Sequence, residues 1–110
     1  MTRFALVAAV VAALVAALPA VAATPVVNGT VGPGFTISIA KKPTKAGKIK
    51  LVVSDKAGNH NFHLTGPGVN VKTSVGGTGT KTFLVTLKKG TYKFVCDPHA
   101  SSMHGSFKIK

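Results

Sequence analysis

The sequence from residue 24 onward predicts an all-β domain of seven or eight short strands, and two observations lead to that prediction. Apolar residues alternate with polar ones at every second position, and no segment shows a convincing helical period of about 3.6 residues. The alternating runs are short, and the stretches between them are dense in Gly, Pro, Asn and Asp, which turn or break strands. This spacing is typical of a β-sandwich or a β-barrel.

The alternation assigns an inward face to five segments. In chain order, the predicted inward residues are Phe35, Ile37 and Ile39; Ile49, Leu51 and Val53; Phe83, Val85 and Leu87; Tyr92, Phe94 and Cys96; and Phe107 and Ile109. Lys88, Lys89 and Gly90 separate the third and fourth segments and predict a hairpin turn. The sequence shows no internal repeat and no long linker, so residues 24–110 are predicted to form one domain.

The first 23 residues have the layout of a secretory signal peptide. Arg3 precedes an apolar run from Phe4 to Leu18, which ends in a proline and a stretch of small residues. The run is short for a membrane span, which needs about 20 apolar residues. We expect cleavage after Ala22 or Ala23, and an uncleaved anchor is the alternative. The protein is therefore expected to be exported to the periplasm or the extracellular space, and to be membrane-associated if this segment is retained.

Charge and cysteine content narrow the function classes. Fourteen Lys and Arg residues stand against two Asp and Glu residues, a formal net charge of +12. Export argues against nucleic acid and for acidic partners outside the membrane. Lysines scattered along the strands also fit a simpler role in solubility and edge protection. The single cysteine allows no internal disulfide, so an exported domain needs another use for its thiol, and metal ligation is one.

A short segment near the C-terminus gathers three metal-binding side chains, those of Cys96, His99 and Met103. Copper that cycles between two oxidation states is held in electron-transfer proteins by two His, one Cys and a weak axial Met. The second His is missing from this segment. His60 is the candidate, because it is far enough upstream to arrive on a different strand.

The alternation selects His60 rather than His63 as that ligand. If Phe62 and Leu64 face the core, His60 shares their side, whereas Asn61 and His63 face away.

The same test places Cys96 on an inward face, and Met103 shares the side of Phe107 if the last strand begins that early. His99 lies in a loop, where alternation gives no information, and its assignment depends on its short reach from Cys96. His104, like His63, is expected to be exposed and not to be a ligand.

Zinc is the chief chemical competitor of copper, because Cys and His ligate it well. A hydrolytic zinc site needs a general base, and the chain has only two carboxylates, Asp55 and Asp97. Asp97 directly follows Cys96 and is better placed to brace the loop. Each candidate ligand taken alone is more often structural than functional, but their joint occurrence favours a metal site. The sequence has no Ser-His-acid set, phosphate loop or pair of catalytic carboxylates, so no enzyme activity is expected.

Two motifs resemble those of the small blue copper proteins, the cupredoxins, especially the plastocyanin, pseudoazurin and amicyanin group. Residues 60–63, His-Asn-Phe-His, are similar to the upstream ligand motif, and residues 90–99 are similar to the final hairpin leading into the ligand loop. The resemblance covers residues 24–110 and implies a two-sheet Greek-key β-sandwich. It also implies that the equatorial copper ligands are His60, Cys96 and His99 and that the axial ligand is Met103. By the same resemblance, Asn61 would hold the Cys-bearing loop through hydrogen bonds.

The expected function is the transfer of single electrons between redox partner proteins by one bound copper ion, with no small-molecule substrate. The partners are expected to present acidic docking surfaces, and the protein is expected to be a monomer. The alternative is a copper carrier or storage protein that delivers metal rather than electrons. The Met-rich or His-rich tracts that would favour such a carrier are absent from the sequence.

Overall fold

The computed structural model describes residues 23–110, which form two four-stranded β-sheets around one core. The strands are β1 (Val26–Val31), β2 (Ile37–Ile39), β3 (Gly47–Asp55), β4 (His63–Gly66), β5 (Val69–Lys72), β6 (Gly79–Leu87), β7 (Gly90–Val95) and β8 (His104–Ile109). The first sheet has the order β2-β1-β3-β6 and the second β5-β4-β7-β8. Neighbouring strands are antiparallel except β1 and β3, which are parallel. The predicted signal segment lies outside the described residues except for Ala23, and it stays a prediction.

The eight strands confirm the predicted all-β sandwich, and the inward residues predicted from alternation are buried or half-buried with one exception. Leu51 and Val53 of the first sheet and Leu64 and Tyr92 of the second are almost completely buried. Full burial of an aliphatic or aromatic side chain of this size stabilises the fold by about 1.5–3 kcal/mol relative to exposure. The core of the described chain lies wholly between residues 27 and 109, so this domain has a core of its own.

Phe35 is the exception, because the alternation predicts an inward side chain and the residue is 64% exposed. β2 begins only at Ile37, and residues 33–35 form a bend between β1 and β2, so the strand pattern does not extend back to Phe35. The Phe35 ring lies instead beside the rings of His60 and His99, with centroid separations of 5.6 and 5.0 Å.

The prediction of a hairpin at Lys88 and Lys89 is wrong. β6 pairs with β3, whereas β7 lies between β4 and β8, so this turn carries the chain from one sheet to the other. The Tyr92 hydroxyl accepts a hydrogen bond from the Lys88 N–H and donates one to the Pro67 carbonyl oxygen, both at 2.9 Å. These bonds tie the crossing to the turn between β4 and β5. Alternation shows which face of a strand is buried but not which strand it pairs with. A turn that carries the chain between sheets therefore has the same sequence pattern as a hairpin turn.

The strand directions give the sandwich two distinct ends. β3 runs from Gly47 to Asp55. β7 ends at Val95, which pairs with His104, the first residue of β8. The end with Asp55 and Val95 also carries the bend at 33–35 and the loops 56–62 and 96–103, and we call it the Cys96 end. In the part of the chain that the structure describes, no helix is long and apolar enough to cross a membrane.

Candidate metal centre

Three side chains from separate segments converge at the Cys96 end. His60 precedes β4, Cys96 follows β7, and His99 lies in the loop before β8. His60 Nδ1 lies 3.1 Å from His99 Nδ1, and Cys96 Sγ lies 3.7 Å from His60 Nδ1 and 3.6 Å from His99 Nδ1. A point equidistant from these atoms is about 2 Å from each, near the ~2.0–2.1 Å of metal–imidazole bonds and the ~2.3 Å of metal–thiolate bonds. Within residues 23–110, this is the one group of three or more His, Cys, Asp or Glu side chains arranged to hold a metal ion.

The orientation of His60 is set by a backbone carbonyl. His60 Nε2 lies 2.8 Å from the carbonyl oxygen of Gly34, and a carbonyl oxygen can only accept, so Nε2 carries a proton and donates it. In the neutral ring, Nδ1 then keeps its lone pair and points it into the donor group, as a metal ligand requires. Gly34 has a φ of 68°, a conformation that favours glycine. The donor set and this tautomer fit a transition metal such as copper.

Backbone hydrogen bonds close the loop that carries the other donors. The Cys96 N–H donates to the Met103 carbonyl oxygen at 3.0 Å, the Met103 N–H donates to the His99 carbonyl oxygen at 2.8 Å, and the His99 N–H donates to the Cys96 carbonyl oxygen at 3.0 Å. β8 begins at His104, so Met103 is the last residue of this loop rather than a strand residue. The Met103 side chain is 1% exposed.

Asn61 joins the His60 segment to the Cys96 loop. Its Nδ2 donates to Asp97 Oδ2 at 2.7 Å and to the Thr73 carbonyl oxygen at 3.3 Å, and its Oδ1 accepts from the Asp97 N–H at 2.8 Å. Its backbone N–H donates to Cys96 Sγ at 3.4 Å. The residue is 1% exposed although alternation predicts that it faces away from the core, because Asp97 and Thr73 cover it. The structure thus contains the loop-holding hydrogen bonds that the family resemblance implied.

Asp97 braces the loop, as the sequence predicts. Burial by itself would raise the pKa of its carboxyl group, but hydrogen bonds from Asn61 and His63, together with the positive charges of His63 and Lys72, outweigh burial and lower the pKa. His63 Nδ1 lies 2.9 Å from Asp97 Oδ1, and His63 Nε2 lies 2.6 Å from Asn70 Oδ1. Both ring nitrogens of His63 are therefore engaged outside the donor group.

The donors are shielded from water to different degrees. Cys96 and His60 are almost fully buried, whereas His99 is half-buried. In the core, the rings of Phe62 and Phe94 stack with centroids 5.7 Å apart and planes 3° apart. His99 is consequently the donor that reaches the protein surface.

Two residues that shape this site were missed by the sequence reasoning. Thr73 Oγ1 accepts from the Phe62 N–H at 2.9 Å, and the Thr73 carbonyl oxygen accepts from Asn61. Gly34 acts through its own carbonyl oxygen. The Gly-Pro-Gly run at residues 32–34 is a sequence signal for a bend at Gly34, but no pattern in the sequence marks Thr73.

Comparison with known proteins supports this assignment. A family model described as copper binding proteins, plastocyanin/azurin family, matches residues 31–110. The chain belongs to this family of copper-binding proteins, which confirms the expected family and the expected metal. A search of the curated proteins finds no match.

Solved structures add evidence on the fold. One similar chain comes from the cryo-EM structure of a heme-copper terminal oxidase dimer, with a TM-score of 0.54 and 18% sequence identity. The likeness covers 76% of this chain and 60% of that one, so this chain spans less than two thirds of that relative. At this identity the likeness shows a shared fold.

Proposed function

We propose that the protein is an exported type 1 (blue) copper protein that carries single electrons between redox partners. In this proposal His60, Cys96 and His99 would hold the copper ion, and Met103 would add a weaker fourth ligand. The main support is the convergence of one sulfur and two imidazole nitrogens, none more than 3.7 Å from the next. When bound there, copper supplies a one-electron couple between Cu(I) and Cu(II).

The contribution of the chain is a set of contacts that hold the donor side chains in position. Gly34 fixes the His60 ring, and backbone bonds among Cys96, His99 and Met103 close the loop. Ligands held by packing and by hydrogen bonds behind them stay in place when the charge at the site changes. The Asn61 N–H directed at Cys96 Sγ is a further contact that stabilises negative charge on the sulfur.

The surface around His99 is the proposed point of electron exchange. His99 is the half-buried donor, and the exposed ring of Phe35 lies beside it. An exposed aromatic ring next to a site is suited to contact with a partner protein. Lys56 and Lys72 are exposed near the same end and are suited to the acidic docking surface expected of a redox partner.

Redox cycling distinguishes this function from that of a copper carrier. The copper-loaded protein is reduced with ascorbate, passed through a desalting column and reoxidised, with copper and visible absorption measured at each step. An electron carrier keeps its copper and recovers its absorption, because its donors bind both oxidation states. His104→Ala is the matched control, since His104 is exposed and outside the donor group. Loss of the copper on reduction would identify a metal-delivering protein instead.

A further inference from the structure

Lysines from three segments meet at the end of the sandwich opposite Cys96. The Lys110 N–H donates to the Thr44 carbonyl oxygen at 3.2 Å, and Gly47 pairs with Leu87, so the loop after β2, the turn after β6 and the residue after β8 lie together. We call the exposed lysines of these segments the basic end, and they are Lys41, Lys42, Lys45, Lys88, Lys89 and Lys110.

The charge of the domain is uneven along its strands. The two side-chain carboxylates of the chain, Asp55 and Asp97, both lie at the Cys96 end. β3 has nine residues, so the two ends are about 25 Å apart at about 3.3 Å per residue. This distance is about three Debye lengths at physiological salt. The basic end is therefore an electrostatic surface separate from the donor group.

We propose that the basic end docks on an anionic phospholipid bilayer. Protein interfaces are enriched in Arg, Tyr and Trp and depleted in Lys, whereas every charged side chain of this surface is Lys. Among residues 23–110, Phe35 is the strongly exposed aromatic residue, and it lies at the other end. Compact, hydrated ammonium groups on flexible stems suit mobile lipid phosphates, to which clustered lysines are attracted without a shaped pocket.

The path of the chain favours a bilayer over an acidic protein. The Lys50 N–H donates to the Pro25 carbonyl oxygen at 2.8 Å, and Pro25 lines one groove together with Lys41 and Lys42. The residues before Pro25 therefore reach the domain at the basic end. In the sequence these residues follow the apolar run from Phe4 to Leu18, so an uncleaved anchor, the alternative to cleavage, would tether the domain by this end.

This docking goes beyond the proposed electron transfer and does not depend on copper. Contact through the basic end leaves His99 and Phe35 facing the solution, on the far side of the domain from the lipid. A soluble redox partner could then reach the donor group while the protein stays at the membrane. The docking proposal depends on the proposed export in one respect: export brings the domain to the outward-facing surface of a membrane.

Vesicle cosedimentation tests the proposal on residues 24–110, which contain the whole described core, with and without copper. We expect binding to vesicles of phosphatidylcholine and phosphatidylglycerol, no binding to phosphatidylcholine alone, and release as salt rises, because screening shortens the Debye length to about 3 Å at 1 M. Each lysine near an anionic surface strengthens binding about fivefold, so the triple variant Lys41→Gln, Lys42→Gln and Lys45→Gln is expected to bind about 100-fold more weakly.

The control variant removes the same charge away from the basic end through Lys56→Gln, Lys81→Gln and Lys93→Gln, all exposed in the native protein. It should bind nearly as well as the unaltered chain. Equal weakening of both variants would show that only net charge matters and would overturn the proposal. Polyglutamate is the second probe: binding to it through the same lysines without binding to anionic vesicles would assign the surface to an acidic protein instead.

Discussion

The carbonyl oxygen of Gly34 accepts a hydrogen bond from His60 Nε2 at 2.8 Å, and this contact determines which ring nitrogen of His60 faces the donor group. His60 Nδ1 is thereby directed toward Cys96 Sγ, 3.7 Å away. The same bend places Phe35 beside His60 and His99. The bend at residues 33–35 thus orients one donor through Gly34 and supplies the exposed ring of Phe35 next to another.

His60→Ala should abolish or grossly alter the copper spectrum, because it removes a nitrogen that the structure aims at the donor group. Copper affinity should fall by more than the ~10–100-fold typical of losing a residue that only supports a ligand. The matched variant is His63→Ala, which leaves the donor group intact and should leave the spectrum recognisable. Parallel copper titrations and absorption spectra check both, and the reverse ranking of the two variants would show that the upstream ligand is His63.

Asn61→Ala should destabilise the metal-free protein by about 1–3 kcal/mol, because it leaves the Asp97 N–H and the Thr73 carbonyl oxygen without their buried partner. Urea unfolding measures the change. Asn28→Ala, at an exposed position of β1, should change the free energy of unfolding by no more than about 0.5 kcal/mol. Equal effects of the two substitutions would mean that Asn61 does not hold the loop.

Gly66→Ala should also lower stability, by about 1–3 kcal/mol, because the added methyl group would collide with the fully buried ring of Tyr92. The hydroxyl of this ring is fixed by hydrogen bonds to Lys88 and Pro67, so the ring has little room to move. Gly76→Ala is the control, since no atom lies within 4 Å of a methyl group added there. Thermal unfolding of the two variants should differ clearly, and matching midpoints would contradict the packing described around Tyr92.

Electron transfer to a negatively charged reagent such as ferricyanide should slow as salt is added, while the copper spectrum and potential change little. The lysines that matter should be Lys56 and Lys72 near the Cys96 end. The basic end is about 25 Å away, well beyond the ~8 Å Debye length at physiological salt. Stopped-flow rates should therefore respond to Lys56→Gln with Lys72→Gln but hardly to Lys41→Gln with Lys42→Gln. A flat or rising salt dependence would mean that the charge near the donor group does not steer the reagent.

Much of the fold could be predicted from the sequence because alternation reports burial directly. Leu51, Val53 and Tyr92 alternate with exposed or half-exposed neighbours and are buried as predicted. The prediction that Phe35 faces the core was wrong because a two-residue period does not show where a strand begins. The prediction of a hairpin at Lys88 was wrong because the partner of a strand depends on which strand edges remain free in the folded sheets. The residues of one strand do not indicate this.

The candidate site was predictable where side-chain chemistry is specific. Cys96, His99 and His60 stand out as a sulfur and two imidazoles, and the structure brings their donor atoms together. Met103 is buried at the end of the loop that carries Cys96 and His99, and its ligation stays a prediction. The contributions of Gly34 and Thr73 could not be foreseen. Both residues offer carbonyl oxygens, which every residue possesses, and the Thr73 hydroxyl is one of many in the chain, so only the folded chain shows which groups meet.

The most direct test of the copper assignment is the visible absorption of the copper-loaded protein beside that of Cys96→Ser. The unaltered protein should bind one copper ion and show the intense absorption of a copper–thiolate bond, because Cys96 Sγ is the sulfur of the three converging donors. Cys96→Ser removes that sulfur with little change in side-chain volume and should lose the band. An unchanged spectrum in Cys96→Ser would show that Cys96 is not a ligand and would contradict the proposed centre.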